Sequence, residues 1–235
     1  MIDLAAPWLQ ALRPALDRAW GDGLALQNVA AALNRAAAAA IAGKVPPRFV
    51  PQADLPAGQA YEAFIHRSRQ VPTRDNLHDF FNGLAWLAWP ALKWRLNALQ
   101  AAEIERRGVG TMRGPVRDAL TLFDEGGALL QAPAELLAAL RARDWQALFV
   151  TRRPLWASAR LTIVGHALVE KLATAPRKGL TAHVLLADPL ALDADGWAAK
   201  PFAPLPVLGL PGWWPANEAA GFYDDPAVFR HRQLP

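Results

Sequence analysis

Asp75-Asn76-Leu77-His78-Asp79-Phe80-Phe81-Asn82-Gly83-Leu84-Ala85-Trp86-Leu87-Ala88-Trp89, stopped by Pro90, is the stretch from which the fold is read. At about 100° per residue, Leu77, Phe80, Phe81, Leu84, Leu87 and Ala88 gather on one face of a helix. Asp75, His78, Asp79, Asn82, Trp86 and Trp89 gather on the other, and either Thr73 or Asp75 is placed to cap the first turn. A solvated face would carry Lys, Glu, Gln and Arg; this one carries short polar groups and then two indoles, which are costly to leave wet. The helix is therefore expected to be covered on both sides, with its polar side chains bonded to protein partners or to a ligand.

Pro90 suits the first turn of a second helix with a core stripe of Leu92, Leu96 and Leu99, and Arg106, Arg107 and Gly108 form its end. Towards the amino terminus, Pro7 to Trp20 and Leu24 to Ala42 read as amphipathic helices, the second stopped by Gly43. The proline-rich run from Lys44 to Gly58 reads as a loop or wrapping segment. Ala119 to Phe123, Asp124-Glu125-Gly126-Gly127 and Ala128 to Leu130 read as a β-hairpin, the glycines supplying positive φ. Pro133 to Arg143 is a short helix, Asp144 to Val150 another turn, and Leu161 to Thr174 a helix with Leu161, Val164, Leu168 and Leu172 inward; Leu180 to Leu186 alternates as a strand. The chain is expected to be α+β: a helix-rich single domain over 1–235 with a small, mainly antiparallel sheet. Residues 1–45 would form its helical amino-terminal part, and 196–235 a proline-rich arm wrapping it.

The 235 residues are 53% apolar, enough for a core that needs neither disulfide nor structural metal. With no cysteine, disulfide scaffolds, thiolate zinc sites, iron–sulfur ligation and cysteine nucleophiles are excluded together, and a reducing cytoplasm is the compartment that fits. The first residues lack a signal-peptide pattern, and the longest uncharged run, Pro201 to Asn217, holds too many prolines to span a bilayer, so no membrane partner is expected. There is no phosphate-binding glycine loop, no dinucleotide fingerprint and no nucleophile elbow, and Ser68 and Ser158 lack the setting of a nucleophile.

Two patterns carry chemistry. His78, with Asp75 or Asp79 orienting its imidazole and Asn82 one turn on, is the candidate general acid or base. His166 and Glu170 stand side by side at i and i+4, and His183 projects from the predicted strand away from Ala182 and Val184. If these met, imidazole and carboxylate without thiolate would suit zinc, manganese or iron, a set able to activate water for hydrolysis of a small anionic substrate. The bland alternative is a buried hydrogen-bond network with His78 at its centre. Glu125 and its neighbour Asp124 are read as turn-forming residues, and His66 and His231 as structural or exposed.

A rival of another class rests on charge. The net +4 conceals a basic run in 141–187, where Arg141, Arg143, Arg152, Arg153, Arg160, Lys171, Arg177 and Lys178 face only Asp144 and Glu170. Such a run would serve a non-enzymatic module that binds nucleic acid or an acidic protein. A third reading is an oligomeric scaffold with Trp213 and Trp214 at a subunit contact.

Five segments carry a family resemblance: Val71 to Asn82, Leu96 to Gln100, Arg117 to Glu125, Gly165 to Leu168 and Lys178 to His183. Together they resemble the uncharacterised bacterial domain-of-unknown-function family indexed 3025, from about Arg48 to Phe229. The resemblance implies one continuous domain and bacterial cytoplasmic residence, and it transfers no activity, cofactor or site residue.

Overall fold

A computed structural model describes residues 2–20, 26–39, 46–109, 114–219 and 221–230. In chain order its helices are α1 (Arg13–Trp20), α2 (Val29–Ala38), α3 (Tyr61–Ser68), α4 (Leu77–Ala88), α5 (Pro90–Arg107), α6 (Pro115–Gly126), α7 (Ala134–Ala142), α8 (His166–Thr174) and α9 (Ala194–Ala198). The strands are β1 (Arg48–Pro51), β2 (Gln70–Thr73), β3 (Gly127–Gln131), β4 (Arg160–Ile163), β5 (Thr181–Leu185) and β6 (Phe202–Pro206). The class is α+β, and the four-stranded sheet, of order β4-β3-β5-β6, is mainly antiparallel: only β3 and β5 run parallel. The chain divides into two compact units, a helical one (Gln10–Asp124 and Ala187–Lys200) and a sheet one (up to Leu9, Glu125–Leu186 and from Pro201 on).

In the helical unit, α4 is buried on both faces as its composition requires: Phe80, Phe81 and Leu84 are fully buried on one side and Trp86 is 2% exposed on the other. Its cap is Asn76, whose side chain accepts from the Asp79 backbone N–H at 2.8 Å, and neither Thr73 nor Asp75. Thr73 belongs to β2, and Asp75 accepts from the Val29 N–H at 2.9 Å, so it satisfies an orphan donor at the start of α2 instead. Gly83 lets α2 approach: a β-carbon there would lie 2.1 Å from Leu33 Cδ1.

The α5 stripe holds Leu92 and Leu96 but not Leu99, which is half-buried; polar Lys93, Asn97, Gln100 and Glu103 are buried beside them. The run after Pro46 is not a plain loop. It forms β1, which pairs in parallel with β2, and α3 supplies the crossover that a parallel pair needs. Helix α1 starts at Arg13, after a 3₁₀ turn at Pro7–Leu9; the start and end expected for the second helix, at Leu24 and Ala42, lie outside the described residues, as does the Gly43 stop.

Two expectations of secondary structure are corrected. Ala119 to Phe123 is not a hairpin strand but part of α6, because Val116, Ala119, Leu120 and Phe123 make a helical stripe that is wholly buried. Gly126 ends that helix and Gly127 opens β3, and neither has positive φ. Leu161 to Thr174 is likewise two elements: Arg160–Ile163 pairs with β3, and α8 begins only after Gly165.

The turn expected over Asp144 to Val150 overlaps a π-helical turn, Ala147–Thr151, which runs one residue further. The carboxy-terminal arm contributes β6 to the sheet edge, where Pro204 and Pro206 need not donate to a further strand, and Trp213 packs on Trp8 with ring centroids 6.2 Å apart. No helix among the described residues is long and apolar enough to cross a membrane.

Candidate metal centre and buried polar network

Three glycines build the centre in the sheet unit. Gly127 O accepts from both the Val164 and Gly165 N–H groups at 2.9 Å, which draws the β4–α8 connection onto the α6–β3 junction. A β-carbon on Gly165 would lie 2.5 Å from Gly126 Cα, so only glycine fits. The residue before this glycine pair is Glu125 and the residue after Gly165 is His166, so the crossing of backbones brings their side chains together. His166 Nε2 stands 3.8 Å from Glu125 Oε1, beyond hydrogen-bond length. The imidazole is 3% exposed, whereas the carboxylate is nearly half-exposed.

His183 joins the same junction from β5. It is in register with Gly127, and its Cδ2 would lie 3.3 Å from a β-carbon on Gly126. Its ring tilts against Phe202 at 6.0 Å, and burial pushes its pKa below the ordinary imidazole value. Glu170 is half-buried on α8, one turn after His166. Sequence reasoning selected His166, Glu170 and His183 but assigned Glu125 to a turn. The signal it misread was Gly126-Gly127: neither has positive φ, and their backbone is what Gly165 crosses too closely to carry a β-carbon of its own.

The helical unit carries the other candidates. His78 is half-buried in the first turn of α4. Asp79 is engaged by Arg74: Oδ2 accepts from the Arg74 backbone N–H at 2.7 Å and from Nε at 3.2 Å, and Oδ1 accepts from Nη2 at 2.8 Å. With Asp75 on Val29, both carboxylates fix the backbone around the helix start from which His78 projects.

Asn82 belongs to a chain of side chains from four successive helices. Lys93, 4% exposed, donates to Asn82 Oδ1 at 2.9 Å and to Asp124 Oδ1 at 2.5 Å, with its ammonium 5.3 Å from the Trp86 ring centre. An ammonium has no acceptor, so Asn82 must present its oxygen to Lys93 and its nitrogen to the Tyr61 hydroxyl, 3.3 Å away. Burial, reinforced by the charges of Asp79, Asp124 and Glu62, raises the Tyr61 pKa well above the ordinary phenol value. Lys93 and Tyr61 were absent from the sequence-based candidates, since a lysine on a helix normally reads as a solvated residue.

The basic run is partly committed within its own unit. Lys178 pairs with Asp225 at 3.2 Å and lies 4.4 Å from the Phe222 ring centre; Arg153 pairs with Glu218, and Arg152 donates to the Glu135 carbonyl at 2.6 Å. His66 is exposed on α3, and His231 lies outside the described residues.

Fold and site thus define an α+β protein with an imidazole–carboxylate pair at a glycine crossing. The chain belongs to the family described as a protein of unknown function, DUF3025, whose family model matches residues 47–195 and 184–233 and so runs through both units. No curated protein and no solved structure matches it.

Proposed function

We propose that the protein is a metal-assisted hydrolase of a small anionic substrate, with a divalent ion such as zinc or manganese held through His166 and Glu125. The 3.8 Å separation of their ligand atoms, at a crossing that fixes both backbones, is the observation that carries this reading. Two donors on one tetrahedral zinc, each bound at about 2.1 Å, lie roughly 3.4 Å apart, so a small rotation of the more exposed Glu125 brings both into range. Imidazole with carboxylate suits these ions. His183 and Glu170 are the further candidate ligands, and the depressed His183 pKa keeps a lone pair available at neutral pH.

Such an ion would lower the pKa of a bound water to about 7 and so supply hydroxide. Within the helical unit, His78 is the candidate general acid or base, with Asn82 the polar group one turn on and Asp75 and Asp79 fixing the helix start from which it projects. The test is the metal content of purified protein after equilibration with zinc or manganese and removal of the excess. The expected result is one ion per chain in the wild type and background in His166→Ala and Glu125→Gln, each with a folded melting profile. Background content in the wild type would end the reading.

A further inference from the structure

A cavity of about 430 Å³ lies wholly within the sheet unit, away from the glycine crossing in sequence, and is bounded by the π-helical turn at Ala147–Thr151 and by residues of 217–219 and 221–224. π turns are rare and concentrate at functional sites. This one contributes Phe149 and Val150, and Val150 is left exposed, at 42%.

At the cavity stands Arg153, and what holds it is unusual. Its Nη1 donates to the Tyr223 hydroxyl at 3.0 Å and to the Phe149 carbonyl at 3.5 Å, and its Nη2 donates to Asn217 Oδ1 at 3.2 Å and to Glu218. The neutral acceptors are themselves locked. Asn217, 2% exposed, donates through Nδ2 to the Leu208 and Leu210 carbonyls at 2.9 and 2.7 Å, which turns its oxygen to the guanidinium. Tyr223 donates to the Gly209 carbonyl at 2.8 Å, which leaves its oxygen lone pairs for Arg153. Buried carbonyls after β6 therefore orient two neutral groups, and those two orient the arginine.

Neutral acceptors position a guanidinium without neutralising it. The carboxylate that Arg153 does contact is Glu218, whose side chain is 62% exposed; an ion pair so open to water is worth little and exchanges easily. A guanidinium oriented by buried groups, with an Nη2 donor held only by an exposed carboxylate, beside an apolar side chain and in a cavity of small-molecule size, is a receptor for a carboxylate. We infer that this cavity binds a small organic monocarboxylate at Arg153, its apolar body against Val150, and that Glu218 occupies the carboxylate position when no ligand is bound. Asp224, also at the cavity wall, sets the preference for one negative charge over the two of inorganic phosphate.

The site is independent of the metal reading and is tested apart from it. Benzoate is titrated calorimetrically into wild type, Glu218→Gln and Arg153→Lys, with inorganic phosphate as the comparison anion and the Tyr223 ring resonances as the reporter of position. Glu218→Gln removes the internal competitor and is expected to bind benzoate roughly five-fold more tightly, the factor that about 1 kcal/mol of exposed ion pair converts to. Arg153→Lys keeps the charge but loses the planar group that Tyr223 and Asn217 orient, and is expected to bind about ten-fold more weakly with its melting profile retained. Equal affinity in all three proteins, no saturable binding in any, tighter binding of phosphate, or benzoate binding without a shift of Tyr223 overturns the inference.

Discussion

Gly165 and Gly126 meet backbone to backbone: a β-carbon on Gly165 would sit 2.5 Å from both Cα and N of Gly126. No side-chain rotation relieves such an overlap, because the atoms in the way are main chain. Gly165→Ala must push the β4–α8 connection off β3, lengthening the two hydrogen bonds that Gly127 O accepts. The expected cost is about 3 kcal/mol or more, at the upper end of overpacking effects, read as a shift in urea midpoint with unchanged slope. His166 moves with that connection, so under the proposed metal reading the variant should also fail to retain zinc or manganese at temperatures where it remains folded. A midpoint equal to that of wild type would show that the crossing tolerates a β-carbon.

Lys93→Met leaves the Asp124 carboxylate and the Asn82 oxygen without their ammonium donor in a part-buried setting. Breaking one side of a buried pair costs about 3–5 kcal/mol, and the 28% exposure of the Asp124 side chain places this case near the lower bound. Lys93→Met with Asp124→Leu removes the charge as well as the partner, so a double-mutant cycle should return much of the loss. Additive losses would mean that the two residues are not coupled.

How much of this could be read in advance differs between elements for physical reasons. Helix α4 was legible because a helical stripe of Phe80, Phe81 and Leu84 and a stopping proline agree with each other. Its cap was not, since Thr73, Asp75 and Asn76 are all competent and the choice follows from Asp75 bonding Val29, a contact 46 residues away in sequence. The α6–β3 junction was misread because Asp-Glu-Gly-Gly has the chemistry of a turn; its backbone is instead what Gly165 crosses, at a distance that leaves no space for a β-carbon on Gly165, and no local pattern encodes that. The same misreading hid Glu125. Likewise Arg160–Ile163 has enough apolar spacing to extend α8 backwards, and only pairing with β3 makes it a strand.

Gly83→Ala should be a milder version of the glycine test. The obstruction is the Leu33 side chain, 2.1 Å from the new carbon, and side chains can move where backbone cannot. Leu33 is fully buried, however, so its rotation displaces neighbours, and the expected loss is about 1–3 kcal/mol. Leu33→Ala in the same protein opens the space and should make the two losses less than additive in thermal or urea unfolding. Strict additivity would place the new methyl somewhere other than against Leu33.

The two tyrosines of the chain give an alkaline signature. Burial raises the pKa of Tyr61 and of Tyr223 above the ordinary phenol value of 10.0, with the charges around Tyr61 adding to the effect. A raised folded value means that the native state holds its phenol protons more tightly than the unfolded chain. The stability this contributes is therefore complete below pH 10 and is lost as pH climbs above it. Absorbance at 295 nm should show less tyrosinate at pH 10 in the native protein than the roughly half-ionisation expected at that pH in denaturant. Above pH 10 the native state should lose about 1.4 kcal/mol per pH unit through Tyr61, and Tyr61→Phe should flatten that slope. Asn82 donates to the Tyr61 oxygen, which favours the phenolate, so Asn82→Ala should raise the Tyr61 value further. A native absorbance curve centred at pH 10 would mean that neither hydroxyl sits in the buried surroundings described, and would remove the hydrogen-bonded chain from Lys93 to Tyr61 along with them.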